Sequence, residues 1–475
     1  MAEPLLSVDG NLAAESLPPV VATQSYGLKQ HILSPLETLA QSISTIAPTA
    51  SPTMTIPLVF ALAGNGTWLA YLFAGVGVFL VALCVSRFAR YSASPGSLYV
   101  YASSTLRPVL GSVTAWALLL AYIATGASVV GGFINYANVL ALAIVGRQFP
   151  SLLLVATSVG VSTLIAYRDV KISARLMLWI EVVSVTFIVT VAAMLLWRNG
   201  LHLDLDQMRL KGVEPSGVRL GVVLALFSFV GFESATTLGA EARDPLRTIP
   251  RAVIQSAILV GIFMIACAYS EVLGFRNAGQ DFGQSAAPLH VLAEQAGIPI
   301  LGPLIDVGAL ISMFACILAC VTAAARVLML MSHNGVTHKR LTRTHHRNAT
   351  PGAAVIVVGL FTFLPAALLA ARGVRGADIY GWMGSLATYG FITVYALVAI
   401  ALPFHLKRER HLTPAMIGLS AAATAAMAFA LIGTLYPVPP APYNWLPYLY
   451  LAYLIAGLIW YLVNLKRSGP LNRTA

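Results

Sequence analysis

The sequence predicts an all-α polytopic membrane protein. Three observations carry the prediction: an apolar composition, a series of apolar runs of span length, and a skewed placement of positive charge. Of the 475 residues, 58% are hydrophobic and only 10% charged, where a soluble domain carries about 25% charged residues. The mean hydropathy is +0.80. A chain this apolar cannot cover its surface with polar groups in water, so lipid is the solvent that fits.

Apolar runs of about 18 residues or more mark candidate spans. Read in order, they cover residues 34–62, 67–90, 111–145, 150–167, 173–197, 217–240, 250–274, 301–333, 351–371, 378–402, 413–436 and 446–465, giving twelve spans. The segment at 282–298 reads as a short, partly apolar helix on the outer face. Residues 1–33 hold no long apolar run and no signal-peptide core. Positive charge then orients the spans. Arg87, Arg90, Arg107, Arg168, Lys171, Arg175, Arg243, Arg247, Arg251, Lys339, Arg340, Lys407, Arg408, Lys466 and Arg467 all fall on one side if the N-terminus is cytoplasmic. The opposite side holds far fewer, among them Arg147, Arg198, Arg276 and Arg372. The excess of basic residues on cytoplasmic loops places both termini in the cytoplasm. It also accounts for the formal charge of +11 without nucleic acid as a partner. The four cysteines, Cys84, Cys267, Cys316 and Cys320, lie inside apolar segments and read as packing residues rather than disulfides or a metal site.

Two spans carry breaks. Span 1 contains Ala47-Pro48-Thr49-Ala50-Ser51-Pro52. A proline inside a helix removes a backbone donor and clashes with the preceding turn. Span 6 contains Val230-Gly231-Phe232-Glu233-Ser234, an ionisable residue and a glycine at mid-membrane. Backbone groups freed in lipid are costly, so such breaks belong at a protein-lined cavity. A buried intramembrane carboxyl is a functional candidate by default, although Glu233 also reads as a structural carboxyl capping unwound amides. The breaks are five spans apart. An odd repeat length forces opposite orientations, the pattern of an inverted-repeat transporter with its site at the midplane.

The stretch at 227–253, FSFVGFESATTLGAEARDPLRTIPRAV, resembles the sixth-helix motif of the amino acid–polyamine–organocation superfamily. Pro95-Gly96 with Tyr99 and Tyr101, Ser173-Ala174-Arg175, and Arg326 through Asn334-Gly335 and Pro351 resemble other conserved stretches of those permeases. Together they cover roughly residues 35–400. The resemblance implies a LeuT-like fold: two inverted five-helix repeats with broken helices 1 and 6, plus two additional helices. It divides the chain into a cytoplasmic N-terminal segment (1–33), a first repeat (34–200), a second repeat (201–405), and two further helices with a cytoplasmic tail (406–475).

The same resemblance implies site residues. Pro57 anchors the alignment and places the first break on Ala50, Ser51 and Pro52, with the amides of Ala50, Ser51 and Thr53 facing a substrate carboxylate. The glycines usual there are absent, and a shift of one residue brings in Thr49. Phe227 matches the gating aromatic, Val230 and Gly231 the unwound backbone facing an ammonium, and Glu233 the mid-helix acid. Tyr122 and Thr125 in helix 3 are further lining candidates. Several members carry a helix-5 lysine in place of a sodium ion. Here that position holds Ser184, with Glu181 one turn earlier, so the coupling candidates are Glu181, Ser184 and Glu233. The driving ion is left open between proton, sodium and exchange.

The expected activity is secondary transport of an amino acid or related amine by alternating access. The alternative is a permease of the same fold for another solute, such as a nucleobase or carboxylate. No HExxH, GxSxG or Walker A pattern is present, so an enzyme is not expected, and no cofactor or metal is implied. The expected setting is a bacterial plasma membrane, with a small-molecule substrate and the lipid bilayer as partners.

Overall fold

The structure, a computed structural model, describes residues 26–168, 171–276, 278–345, 348–436 and 438–468. Residues 1–25 of the expected N-terminal segment therefore lie outside the described residues.

The described chain is helical throughout. Helix α1 (Pro35–Ile46) begins at Ser34. The Ser34 hydroxyl accepts from the Glu37 N–H, and the Glu37 carboxylate accepts from the Ser34 N–H at 2.8 Å. This capping box satisfies two otherwise orphaned donors. The helix stops at Ala47, which is left-handed at φ 50°, because the α conformation is disfavoured ahead of Pro48. After Ala47–Ala50 the chain re-enters as a π-helical turn, Ser51–Thr55, running into α2 (Ile56–Ala63). Then follow α3 (Thr67–Ala89), α4 (Ser97–Ser103), α5 (Pro108–Val145), α6 (Ser151–Arg168), α7 (Lys171–Arg198) and α8 (Leu205–Met208).

The second half opens with α9 (Pro215–Phe227) and a short 3-10 turn, Ser234–Leu238. It continues through α10 (Pro245–Phe275), α11 (Pro288–Gln295), α12 (Leu301–His333), α13 (Gly352–Ala371), α14 (Gly376–Arg408), α15 (Pro414–Leu435) and α16 (Leu446–Ser468). Among the described residues, ten stretches are long and apolar enough to cross a membrane. The first of them, Pro35–Ala89, contains two of the expected spans, and α9 is a shorter apolar helix.

Helix α5 is the central post, packed along α12 and α14 and against α4, α6, α13 and α16. Its approach to α14 depends on glycine. A Cβ on Gly131 would lie 2.5 Å from the Gly376 carbonyl, so only a hydrogen permits this crossing. Large apolar side chains on the outer helices are exposed, among them Trp179, Trp197 and Ile262. In lipid this exposure needs no cover. The last turns of α1, just ahead of the first break, pack on the break in the sixth expected span.

Candidate functional site

The second break forms the floor of the site. α9 ends at Phe227, the chain unwinds over 228–233, and a regular α-helix resumes only at Pro245. Gly231 lies at φ +98°, where an added Cβ would meet the Thr45 side chain within 2.8 Å. The last turns of α1 satisfy groups left open by this unwinding. Ser42 Oγ donates to the Phe232 carbonyl at 2.8 Å and accepts from the Ala235 N–H at 3.0 Å. Ser234 Oγ accepts from Gln41 Nε2 and Thr45 Oγ1, each at 3.0 Å. Irregular backbone at membrane depth survives only with such partners. The Gly231 carbonyl is occupied by the Ser234 N–H at 2.9 Å. The Val230 carbonyl accepts no hydrogen bond from the described residues.

Glu233 is fully buried and tied on three sides. Tyr122 of α5 donates to Oε1 at 2.9 Å, Tyr395 of α14 to Oε2 at 2.7 Å, and the Gly231 N–H to Oε2 at 3.2 Å. The carboxyl thus fastens the unwound segment to two wall helices. It closes a local loop on Gly231 rather than facing open space. Tyr395 was not among the sequence candidates.

The first break is placed three residues earlier than the Ala50–Pro52 expected from alignment. The unwound residues are Ala47–Thr49; Ala50 is already helical, and Ser51 and Pro52 lie in the resumed π-helical turn. Pro52 sits in that helix's first turn, where its missing N–H costs nothing. The Ala50 N–H is occupied by the Ala47 carbonyl at 2.8 Å. Thr53 Oγ1 turns back onto the carbonyls of Thr49 and Ala50. Thr49 Oγ1 instead reaches across to α7 and donates to Glu181 Oε2 at 3.0 Å. Glu181 Oε1 and Ser312 Oγ of α12 are both buried without a hydrogen-bond partner. Ser184, also buried, lies against Gly308 of α12. Cys316 Sγ donates to the Thr45 carbonyl at 3.1 Å, and all four cysteines are free and buried.

Aromatic residues cover the junction. The Phe227 ring meets Tyr380 edge-on, with centroids 5.6 Å apart. Tyr380 OH is bonded to Thr55 Oγ1 at 2.8 Å, Tyr71 OH to Ser228 Oγ at 3.0 Å, and Tyr136 OH donates to the Thr53 carbonyl at 3.3 Å. Thr125 Oγ1 bonds its own helix at the Ala121 carbonyl. The structure therefore gathers Thr49 with Glu181, and Tyr122 with Gly231 and Glu233, while Thr125 contributes no hydroxyl to the junction.

Both ends are shut. At the end where α1 begins, Arg326 Nη2 and Nε donate to Glu241 at 2.7 and 2.9 Å, both side chains buried. Ile32 and Leu33 N–H groups donate to the Glu241 carbonyl, and the Arg243 N–H to the Leu33 carbonyl. This segment straps the entry to α1 onto the end of the second break. At the other end, Arg276 holds Asp204 at 2.6 and 3.0 Å and Asn65 Oδ1 at 2.8 Å. Burial pushes the Asp204 carboxyl up, but the Arg276 and Gln207 hydrogen bonds outweigh it and hold the group below its ordinary value.

A family model for amino acid permeases matches residues 38–471. The chain belongs to the amino acid permease family. This permease is 30% identical over 385 residues to an uncharacterized transporter of Mycobacterium bovis, covering 79% of this chain and 81% of that one. It is 26% identical to the branched-chain amino acid permease BcaP of Lactococcus lactis, covering 71% and 77%. It is 28% identical to the low-affinity putrescine importer PlaP of Escherichia coli, covering 65% and 69%. Its fold resembles that of MhsT, solved with L-phenylalanine, at a TM-score of 0.54 and 15% identity, over 85% of this chain and 99% of that one. That neighbour has the LeuT fold. The permease is a multi-pass bacterial membrane transporter and not an enzyme.

Proposed function

We propose that this permease moves an amino acid or a related amine by alternating access, through the junction of its two broken helices. The observation that carries the reading is the juxtaposition of the breaks. Thr45, in the last turn of α1 just ahead of the first break, lies against Gly231, the Val230 carbonyl accepts no hydrogen bond from the described residues, and the resumed helix starts at Ser51. A substrate ammonium is assigned to the Val230 carbonyl. A carboxylate, where the substrate has one, is assigned to the Ser51 end of the resumed helix, whose N-terminal turn favours anions. Phe227 covers the bound amine, and a ring face suits a cation. Tyr122 and Glu233 hold the floor behind it. Thr49, Glu181, Ser184 and Ser312 form the adjoining polar patch assigned to coupling.

The reading takes twelve crossings: two in Pro35–Ala89, one through α9 and the 3-10 turn, and nine in the remaining apolar stretches. Helices α1 to α7 form the first repeat and α9 to α14 the second, in inverted orientation, with both termini cytoplasmic. Relatives named for branched-chain amino acids and for putrescine make leucine and putrescine the first probes. Uptake of either into proteoliposomes, reduced at least tenfold by Phe227→Ala, supports the site. Uptake that Phe227→Ala leaves unchanged removes it.

A further inference from the structure

Helix α10 carries a second buried carboxyl that the proposed site does not use. Glu271 is 1% exposed, and neither carboxyl oxygen has a hydrogen-bond partner. Its surroundings are mostly apolar, and the neighbouring Ser270 hydroxyl donates to the Cys267 carbonyl instead. Ile188, Val191 and Leu195 of α7 and Leu289 and Leu292 of α11 line a void beside it too narrow for water. The titratable groups around it are all neutral hydrogen carriers: Tyr71 from α3, Tyr136 from α5, and Cys267 one turn away on α10. Helix α7 and α11 present only apolar side chains to the void. Glu37 of α1 caps the opposite end of that helix, and the π-helical and 3-10 turns hold no titratable residue.

A bare carboxylate in such a place lacks both a counter-charge and a donor, and the cost of burying one is met by holding a proton. The contrast with Glu233 is direct. Glu233 has three donors, whereas Glu271 has none. Two features link Glu271 to the transport path. Tyr71 and Tyr136 are also the residues whose hydroxyls hold Ser228 in the second break and the Thr53 carbonyl beyond the first. The residue also sits on the seam between α10 and the α7–α11 pair. Alternating access requires helices to shift against one another, and we place one such shift at this seam, where it would open the void beside Glu271 to water.

We propose that Glu271 is a proton-binding site of the permease, loaded when the seam is closed and in exchange with water when it opens. This rests on the alternating-access reading only for the exchange step. The test has two arms, both on the full chain. Infrared spectra of the protein in nanodiscs report protonated carboxyls directly. The expected spectrum has an acid carbonyl band that shifts in D2O, is absent from Glu271→Gln, and persists in Glu181→Gln and Glu233→Gln. In proteoliposomes, Glu271→Gln is expected to abolish accumulation of leucine or putrescine driven by a pH gradient while retaining exchange of labelled for unlabelled solute. A band unchanged in Glu271→Gln, a band that never exchanges in D2O, or gradient-driven accumulation equal to wild type overturns the proposal. Absence of all solute transport in the wild type overturns the functional reading instead, and the infrared arm then decides the proton site alone.

Discussion

Arg326→Leu should be among the most destabilising single substitutions in the chain. Arg326 and Glu241 are 1% and 4% exposed, and the guanidinium meets both carboxylate oxygens at 2.7 and 2.9 Å. The remaining Arg326 nitrogen donates to the Thr322 carbonyl at 3.1 Å. Removing the cation strands a carboxylate away from water, and breaking a buried pair this way costs about 3–5 kcal/mol. An exposed pair would be worth at most about 1 kcal/mol. The double substitution Arg326→Leu/Glu241→Leu removes both charges and should recover most of that loss, since an apolar pair of similar volume is often no worse than a buried ion pair. Denaturant unfolding of the detergent-solubilised protein measures all three. The same variants report on closure, because the Ile32–Leu33 strap hangs on the Glu241 carbonyl. A cysteine placed at Leu33 should react faster with a membrane-impermeant maleimide in Arg326→Leu. A single-mutant cost near 1 kcal/mol, or additive single and double effects, would refute the reasoning.

Gly231→Ala forces an L side chain to φ +98° against Thr45 and should cost about 2 kcal/mol or more, read as a lower unfolding midpoint together with lost uptake. Tyr395→Phe deletes one of three donors to Glu233. It should cost about 1–3 kcal/mol, and because both lesions break the same contact, combining it with Glu233→Gln should cost less than the sum of the two. The Asp204 carboxyl is held below its ordinary value in the folded protein. Its contribution is therefore complete above the unfolded aspartate pKa of about 3.9 and fades as pH falls through the folded value. Asp204→Asn should lower stability at neutral pH and flatten the acid limb of a thermal-melt pH series.

The spans were legible because length and hydropathy are local. Ten apolar stretches among the described residues fall where spans were expected, while the sixth expected span holds only the shorter helix Pro215–Phe227 before it unwinds. The breaks were legible because Pro48 and Gly231 act locally too. The register of the first break was not. Pro52 looks like a second interruption in sequence, yet it falls in the first turn of the resumed helix, where a proline is tolerated. Tyr395 was invisible because a tyrosine in an apolar helix carries no local mark of a partner 162 residues away. Glu233 was legible as important, but only the fold reveals that Tyr122, Tyr395 and Gly231 saturate it. Glu241 and Arg326 were each visible in recognisable motifs. Their pairing across 85 residues needed the packing of α12 against the end of the second break. Glu271 sits in an ordinary apolar run, and its lack of any partner is a property of the fold alone.

The most direct test of the account is solute uptake into proteoliposomes containing the purified permease, screened with leucine, phenylalanine and putrescine and repeated with Phe227→Ala and Gly231→Ala. The account predicts saturable uptake of at least one of these amines, abolished by both substitutions, while Phe227→Ala keeps the fold by circular dichroism. Uptake of a nucleobase or a simple carboxylate with no amine transported, or amine uptake indifferent to both substitutions, would contradict it.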